Sequence, residues 1–199
     1  MDLTYPPQPW HLAGHAHVGV FLVPASVAPP PHSAATRQLR LFGRVIVAAA
    51  FFEYEEPGQL QYSEFMATQV VLDGWRPRVS ITHIWVDSPT SQAGGRDLWA
   101  IPKDLAEFTP VPPAAYEAHG IATARLRSRL RLPFAIPVGF SIAQDRGGQL
   151  VTTRVSGRVR PGWSRGAWGF ERSGPVAFLA GRAPVLTLSI RPFRLLFGR

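Results

Sequence analysis

The chain contains no cysteine, and of its twenty-one lysines and arginines only one, Lys103, is a lysine. Without cysteine there are no disulfides and no thiolate metal sites, so stability must come from a packed core. No long hydrophobic run is present either. The longest clear one, Val-Ile-Val-Ala-Ala-Ala-Phe-Phe at 45–52, falls far short of the roughly 20 residues that a membrane-crossing helix requires. The opening Met-Asp-Leu-Thr-Tyr-Pro-Pro-Gln-Pro-Trp lacks a basic stretch followed by an apolar one, so no secretory signal is expected. Residues 1–36 carry no lysine or arginine at all. These absences lead to the expectation of one cytoplasmic domain spanning 1–199, long enough to bury a core and making no use of a membrane.

The net charge of +8 raises the question of nucleic acid, but its distribution argues against that partner. The arginines are spread along the chain, and the densest group, Arg125, Arg127, Arg129 and Arg131, alternates with Leu126 and Leu130. That is strand spacing, and a solvated or subunit-facing surface accounts for it. Twenty prolines and eighteen glycines are incompatible with a helical bundle. Between these breakers lie β-like runs at 14–23, 39–50, 60–72, 78–86, 120–132, 150–160 and 183–190. Turn signals such as Glu-Glu-Pro-Gly and Asp-Arg-Gly-Gly separate them, and residues 27–36 read as a surface loop. The pattern predicts a mostly β protein of α+β class, an antiparallel barrel or sandwich with a few short helices.

One such helix is expected over 102–108, where Pro102 suits a first helical position and good helix formers follow. Lys103 would then lie in its first turn, where unpaired peptide N–H groups disfavour a positive charge. A lysine also differs from the twenty arginines in being able to lose its proton. Lowering its pKa from about 10.4 to about 7 frees roughly half the population as a nucleophile. Leu98, Trp99, Ala100, Ile101, Leu105 and Phe108 offer an apolar wall and Arg96 a nearby positive charge, while Asp104 opposes neutralisation. A lysine snorkelling at the surface is the unreactive alternative. Upstream, Gln-Tyr-Ser-Glu-Phe at 61–65 puts Tyr62 and Glu64 on one face of a strand. A glutamate facing an apolar interior there can act as general acid or base.

Tyr-Ser-Glu, followed 39 residues after Glu64 by Lys103 within Gly-Arg-Asp-Leu-Trp-Ala-Ile-Pro-Lys, resembles the acetoacetate decarboxylase family. The resemblance covers about residues 58–110, and the stretch from Pro6 to Pro24 is similar to the opening of divergent members. It implies a β-barrel or cone-like fold, a homo-oligomer, and no cofactor. Lys103 falls on the family's Schiff-base lysine and Glu64 on its acid/base glutamate, with Tyr62 as an orienting group. Lys103 would attack the carbonyl of a small keto acid or ketone, and the iminium would accept electrons from a departing CO₂ or from a neighbouring carbon. Decarboxylation and aldolase or dehydratase chemistry both remain open. A barrel that binds a carbonyl or apolar ligand without turnover is the alternative from another class.

Two positions depart from the family pattern. Asp104 stands where the decarboxylases have a second lysine, and no arginine precedes residue 37 to match their N-terminal active-site arginine. His15 and His17, on one face of a strand, are candidates to contact substrate in its place, alongside Arg96 and Trp99. Their spacing is one that metal sites use, with His83 as a third ligand, but no carboxylate motif completes the set and no metal is expected.

Overall fold

The computed structural model describes residues 4–111 and 115–198. Its first six strands are β1 (Trp10–Pro24), β2 (Arg37–Gln38), β3 (Arg40–Leu41), β4 (Arg44–Tyr54), β5 (Tyr62–Asp73) and β6 (Arg76–Val86). The helix α1 (Pro89–Trp99) follows, then β7 (Lys103–Leu105), β8 (Phe108–Val111), β9 (Ala115–Ala118) and β10 (Ala122–Arg131). The chain ends with β11 (Ile136–Arg146), β12 (Gln149–Phe170), a 3₁₀ turn at Ala177–Leu179, and β13 (Leu186–Phe197).

Seven strands pair in the order β11-β6-β5-β4-β1-β13-β12, and β12 pairs back with β11, so the sheet curves into a ring. Pairing is antiparallel except where β6 meets β7 and β11. Beyond β12 the sheet continues through β10, β9 and β8.

Alternation along β1, β4 and β5 gives the ring wall two buried faces. The even-numbered side chains Leu12, Ala16, Tyr54 and Tyr62 join a core with Ile81, Ile142, Val155 and Phe193. The odd-numbered Phe21, Val47, Phe51 and Phe65 join a second core with Ala124, Leu126 and Leu179. β12 is long enough to serve both, through Val155 and Val159 in the first and Trp168 and Phe170 in the second. A strand buried on both faces loses the polar alternation of a surface strand, which explains the nearly continuous apolar run at 45–52.

The β-like runs of the sequence all fall on strands, and residues 27–36 lie between β1 and β2 as a loop. The arginines of β10 are exposed while Leu126 is buried, but a register shift between Ser128 and Leu130 breaks the alternation and leaves Leu130 exposed. β11 was hidden by its proline and glycine, in Ile-Pro-Val-Gly-Phe.

The helix expected over 102–108 does not form: Lys103–Leu105 is a short strand parallel to β6. The helix lies earlier, where Ser88 caps the N-terminus by accepting from the Ser91 N–H at 3.2 Å and Pro89 follows. Gly94 and Gly95 in its middle conceal it, since each costs about 1 kcal/mol of helix propensity. Both are needed for close approach. A Cβ on Gly94 would sit 2.5 Å from the Trp10 ring, and one on Gly95 would sit 2.8 Å from Lys103 Cδ. The Thr-Pro-Val-Pro-Pro segment at 109–113, which reads as a stop for that helix, has its residues 112 and 113 outside the described residues.

Candidate active site

Three elements bring the central residues together. β5 directs Tyr62 and Glu64 inward, β7 directs Lys103 inward, and the first turn of α1 supplies Ser91. Lys103, only 4% exposed, donates to Glu64 Oε2 at 2.8 Å, to Ser91 Oγ at 2.9 Å and to the Tyr62 hydroxyl at 3.3 Å. Its three ammonium donors are thereby all satisfied. The Tyr54 hydroxyl donates to the other Glu64 oxygen, Oε1, at 2.9 Å. Tyr54 stands directly opposite Tyr62 across the β4–β5 hairpin, their rings stacked 4.3 Å apart.

The position is set from the backbone. The α1 C-terminus is closed by Ala100 in a left-handed conformation, and the Ile101 N–H donates to Gly95 O at 3.1 Å. Gln92 then donates from its side chain to the Lys103 carbonyl at 3.2 Å, tying β7 to the helix.

Burial is the largest single influence on Lys103 and pulls its pKa down, but the charges and hydrogen bonds of Glu64 and Tyr62 together outweigh it, so the amine lies above its ordinary value. A neutral resting amine was the expectation from a helix start at Pro102; the structure instead presents an ammonium–carboxylate pair. Burial pushes the Tyr62 hydroxyl up to about 12, against the lowering effect of Lys103, and burial with the Glu64 charge pushes Tyr54 well above its ordinary value. Both tyrosines therefore stay protonated as hydrogen-bond donors.

The opposition expected from Asp104 is removed by strand alternation. With Lys103 pointing in, Asp104 points out, exposed, and accepts from Arg96 Nη2 at 2.6 Å. Arg96 is itself exposed and does not line the Lys103 cavity. Trp99 does, packed edge-on against Trp10 at 4.7 Å, with its indole N–H donating to Gln8.

His15 and His17 do not line the cavity. Being odd-numbered on β1, they lie on the opposite face of the wall, beside Tyr116, with His15 Nδ1 3.0 Å from Glu55. Burial lowers the pKa of both, His17 to about 4, and the Arg191 charge adds to the effect. Glu53 lies on that face too, accepting from Ser63 Oγ at 2.8 Å; burial raises its pKa to about 7. Among the described residues no three histidines or carboxylates are grouped to hold a metal.

The cavity beside Lys103 measures about 230 Å³. Ser91 and Tyr54 escaped sequence reading. Tyr54 could have been found from the hairpin register about Glu-Glu-Pro-Gly, whereas nothing local marks Ser91.

A β-ring with a buried lysine–glutamate pair at the head of an apolar cavity is the class defined by this geometry. The sequence family described as acetoacetate decarboxylase (ADC) matches residues 36–131, which include Tyr62, Glu64 and Lys103. Acetoacetate decarboxylase from Legionella pneumophila subsp. pneumophila str. Philadelphia 1 superposes with a TM-score of 0.68 at 16% identity, over 98% of this chain and 88% of that one. The enduracididine biosynthesis enzyme MppR complexed with pyruvate gives 0.60 at 16% identity, over 100% and 92%. An acetoacetate decarboxylase-like enzyme from Sphingomonas wittichii RW1 gives 0.54 at 15% identity, over 97% and 92%. No curated protein matches in sequence. At these identities the structures establish a shared fold, and the family match covers the stretch of this chain that carries Tyr62, Glu64 and Lys103. Among the described residues no helix is long and apolar enough to cross a membrane.

Proposed function

We propose that the chain is an enzyme that forms a Schiff base between Lys103 and a small carbonyl compound, with Glu64 carrying protons. The observation that supports this most is the 2.8 Å contact between a buried Lys103 Nζ and Glu64 Oε2 inside a cavity. The resting ion pair is no obstacle, because the proton need only cross that one hydrogen bond. As a carbonyl compound displaces water, low polarity penalises the ion pair relative to the neutral amine and carboxylic acid. The amine then attacks the carbonyl carbon. The Glu64 acid gives its proton to the carbonyl oxygen, and the resulting carboxylate takes a proton from the adduct nitrogen and passes it to the hydroxyl, which leaves as water. The net change is an iminium beside a carboxylate, with total charge conserved.

Tyr54 and Ser91 are positioning residues in this scheme, holding Glu64 and Lys103 in register. The enduracididine biosynthesis enzyme MppR, of similar fold, has been seen complexed with pyruvate, itself a small keto compound. A homo-oligomer is proposed as well, since Leu130, Trp163 and Val185 are exposed on or beside adjoining strands β10, β12 and β13; light scattering on the purified chain tests it.

The second reading, a barrel that binds carbonyl ligands without turnover, draws on the raised pKa of Lys103, which keeps the amine protonated at rest. Borohydride trapping separates the two. The chain is incubated with pyruvate, acetoacetate or acetone, reduced, and weighed intact; Lys103 and the N-terminus are its only primary amines. An adduct on Lys103 with product released supports the enzyme, and an adduct without product supports the binder. Ligand binding with no adduct on Lys103 refutes the Schiff base.

A further inference from the structure

We infer that this site selects an uncharged carbonyl compound bearing an apolar tail, a ketone or aldehyde, over a keto acid; this rests on the Schiff-base reading above. The charge balance of the cavity is the first ground. Among the described residues, Lys103 is the single cation and Glu64 the single anion in its lining, and each is already the other's partner. None of the described arginines reaches it. A carboxylate entering beside Glu64 would be a second anion, in an apolar space, with no cation of its own.

The remaining polar groups offer no substitute. The Tyr62 hydroxyl is engaged by Lys103 and the Tyr54 hydroxyl by Glu64, which leaves Thr68 at a distance. Along β5, Glu64 to Thr68 is four residues, about 13 Å at the strand rise.

Depth is the second ground. At the Lys103 end the lining is closed by Trp10, Tyr54, Tyr62 and Trp99, all at most 8% exposed. At the other end Val18, Met66, Thr68 and Val79 are partly exposed and Phe140 is 42% exposed, which marks the mouth. A carbonyl that reaches Lys103 must therefore lie deep, with the rest of the molecule running between aliphatic walls towards Phe140. Hydrocarbon gains from that path and a charged group loses.

A substrate of this class has no CO₂ to lose, so the iminium acts on a C–H bond. The Glu64 carboxylate takes a proton from the carbon next to the iminium. The C–H electron pair becomes a C=C bond, and the C=N π pair moves onto nitrogen, giving a neutral enamine and a carboxylic acid. Return of a solvent-exchanged proton reverses the step, and water hydrolyses the imine to regenerate Lys103.

The test compares 2-alkanones from 2-butanone to 2-nonanone with 2-oxo acids of matched carbon number and with acetoacetate. Borohydride trapping on Lys103 is one readout, and deuterium incorporation next to the carbonyl in D₂O, followed by NMR, is the other. Both are expected to rise at least tenfold along the alkanone series and to exceed the matched oxo acids at least tenfold. Oxo acids trapped as well as alkanones, or no dependence on chain length, would overturn the inference while leaving the Schiff base standing. If no carbonyl compound is trapped, the Schiff base fails instead, and selectivity is still read by thermal shift with 2-alkanols against alkanoates. Stabilisation by the alcohols alone keeps it; equal or absent shifts reject it. Ala48→Leu, which narrows the lining away from Lys103, is expected to shorten the preferred alkanone. An unshifted preference in the folded variant counts against the assigned path.

Discussion

The two faces of the β1–β4–β5 wall carry ionisable groups at comparable depth and treat them oppositely. On the even-numbered face, Glu64 meets Lys103 at 2.8 Å and, with Tyr62, holds the amine above its ordinary pKa. On the odd-numbered face, His17 and Glu53 have no such counter-ion, and burial pushes each towards its neutral form, His17 down to about 4 and Glu53 up to about 7. The strands are the same and the residues alternate, so backbone environment does not account for the difference. Burial sets the direction for each group, and only a buried counter-ion overturns it: Glu64 does so for Lys103, whereas the exposed Glu55, 3.0 Å from His15, leaves that histidine lowered.

The strongest way to break this contrast is to remove the cation. Lys103→Met should abolish reductive trapping on the chain's one lysine. It should also cost about 3–5 kcal/mol by urea unfolding, because Glu64 is left buried without its partner. The double variant Lys103→Met, Glu64→Leu should recover most of that stability and none of the trapping. Next, Glu64→Gln keeps the shape and removes the charge. Imine formation should slow about 10²–10⁴-fold for want of a proton carrier. With burial then unopposed, the pH profile of trapping should move to lower pH; an unmoved profile would mean that Glu64 does not hold the Lys103 charge.

The odd-numbered face should show its character as pH-dependent stability. Below pH 6.5 the unfolded chain takes a proton on His17 that the native chain refuses until about pH 4, so this residue's contribution is lost with acidification. The shift corresponds to roughly 3 kcal/mol. Glu53 acts the other way: the native chain holds a proton between pH 4.5 and about 7 that the unfolded chain releases, so stability falls as pH rises through that window. In wild type the Glu53 slope opposes that of His17, to which the lowered His15, His32 and His83 add. His17→Asn should therefore raise the melting temperature relative to wild type more at pH 5 than at pH 7, and a difference that does not vary with pH would refute this contribution.

Smaller effects sharpen the site's geometry. Gly95→Ala places a Cβ 2.8 Å from Lys103 Cδ and should lower trapping about tenfold, while the helix itself gains up to about 1 kcal/mol of propensity. Stability and reactivity should thus part company. Arg96→Ala breaks only the exposed pair with Asp104 and should change stability by about 0–1 kcal/mol, with trapping unchanged. A large loss of trapping would restore Arg96 to the site.

Period-two patterning made the strands legible, because alternate residues of a strand must face opposite ways whatever surrounds them. The same rule placed Tyr62 and Glu64 together from sequence. It misled where turn chemistry competed: Pro102 reads as a helix start, yet pairing with β6 holds Lys103–Leu105 extended. The glycines at 94 and 95 argued against a helix that exists because Trp10 and Lys103 require the space. His15 and His17 were candidates to contact substrate in place of the missing N-terminal arginine, but parity sends them to the other side.

What the sequence by itself determined is the composition of the site: one amine, a Tyr-x-Glu strand, apolar neighbours, and β alternation that decides which side chains share a face. Tertiary structure decided the charge state and the company. That Asp104 turns away, that Ser91 and Tyr54 complete the hydrogen bonds, and that Lys103 rests above its ordinary pKa all depend on distances between β5, β7 and α1. Coulombic and hydrogen-bond energies fall off within a few ångströms, and no local pattern of residues records such distances.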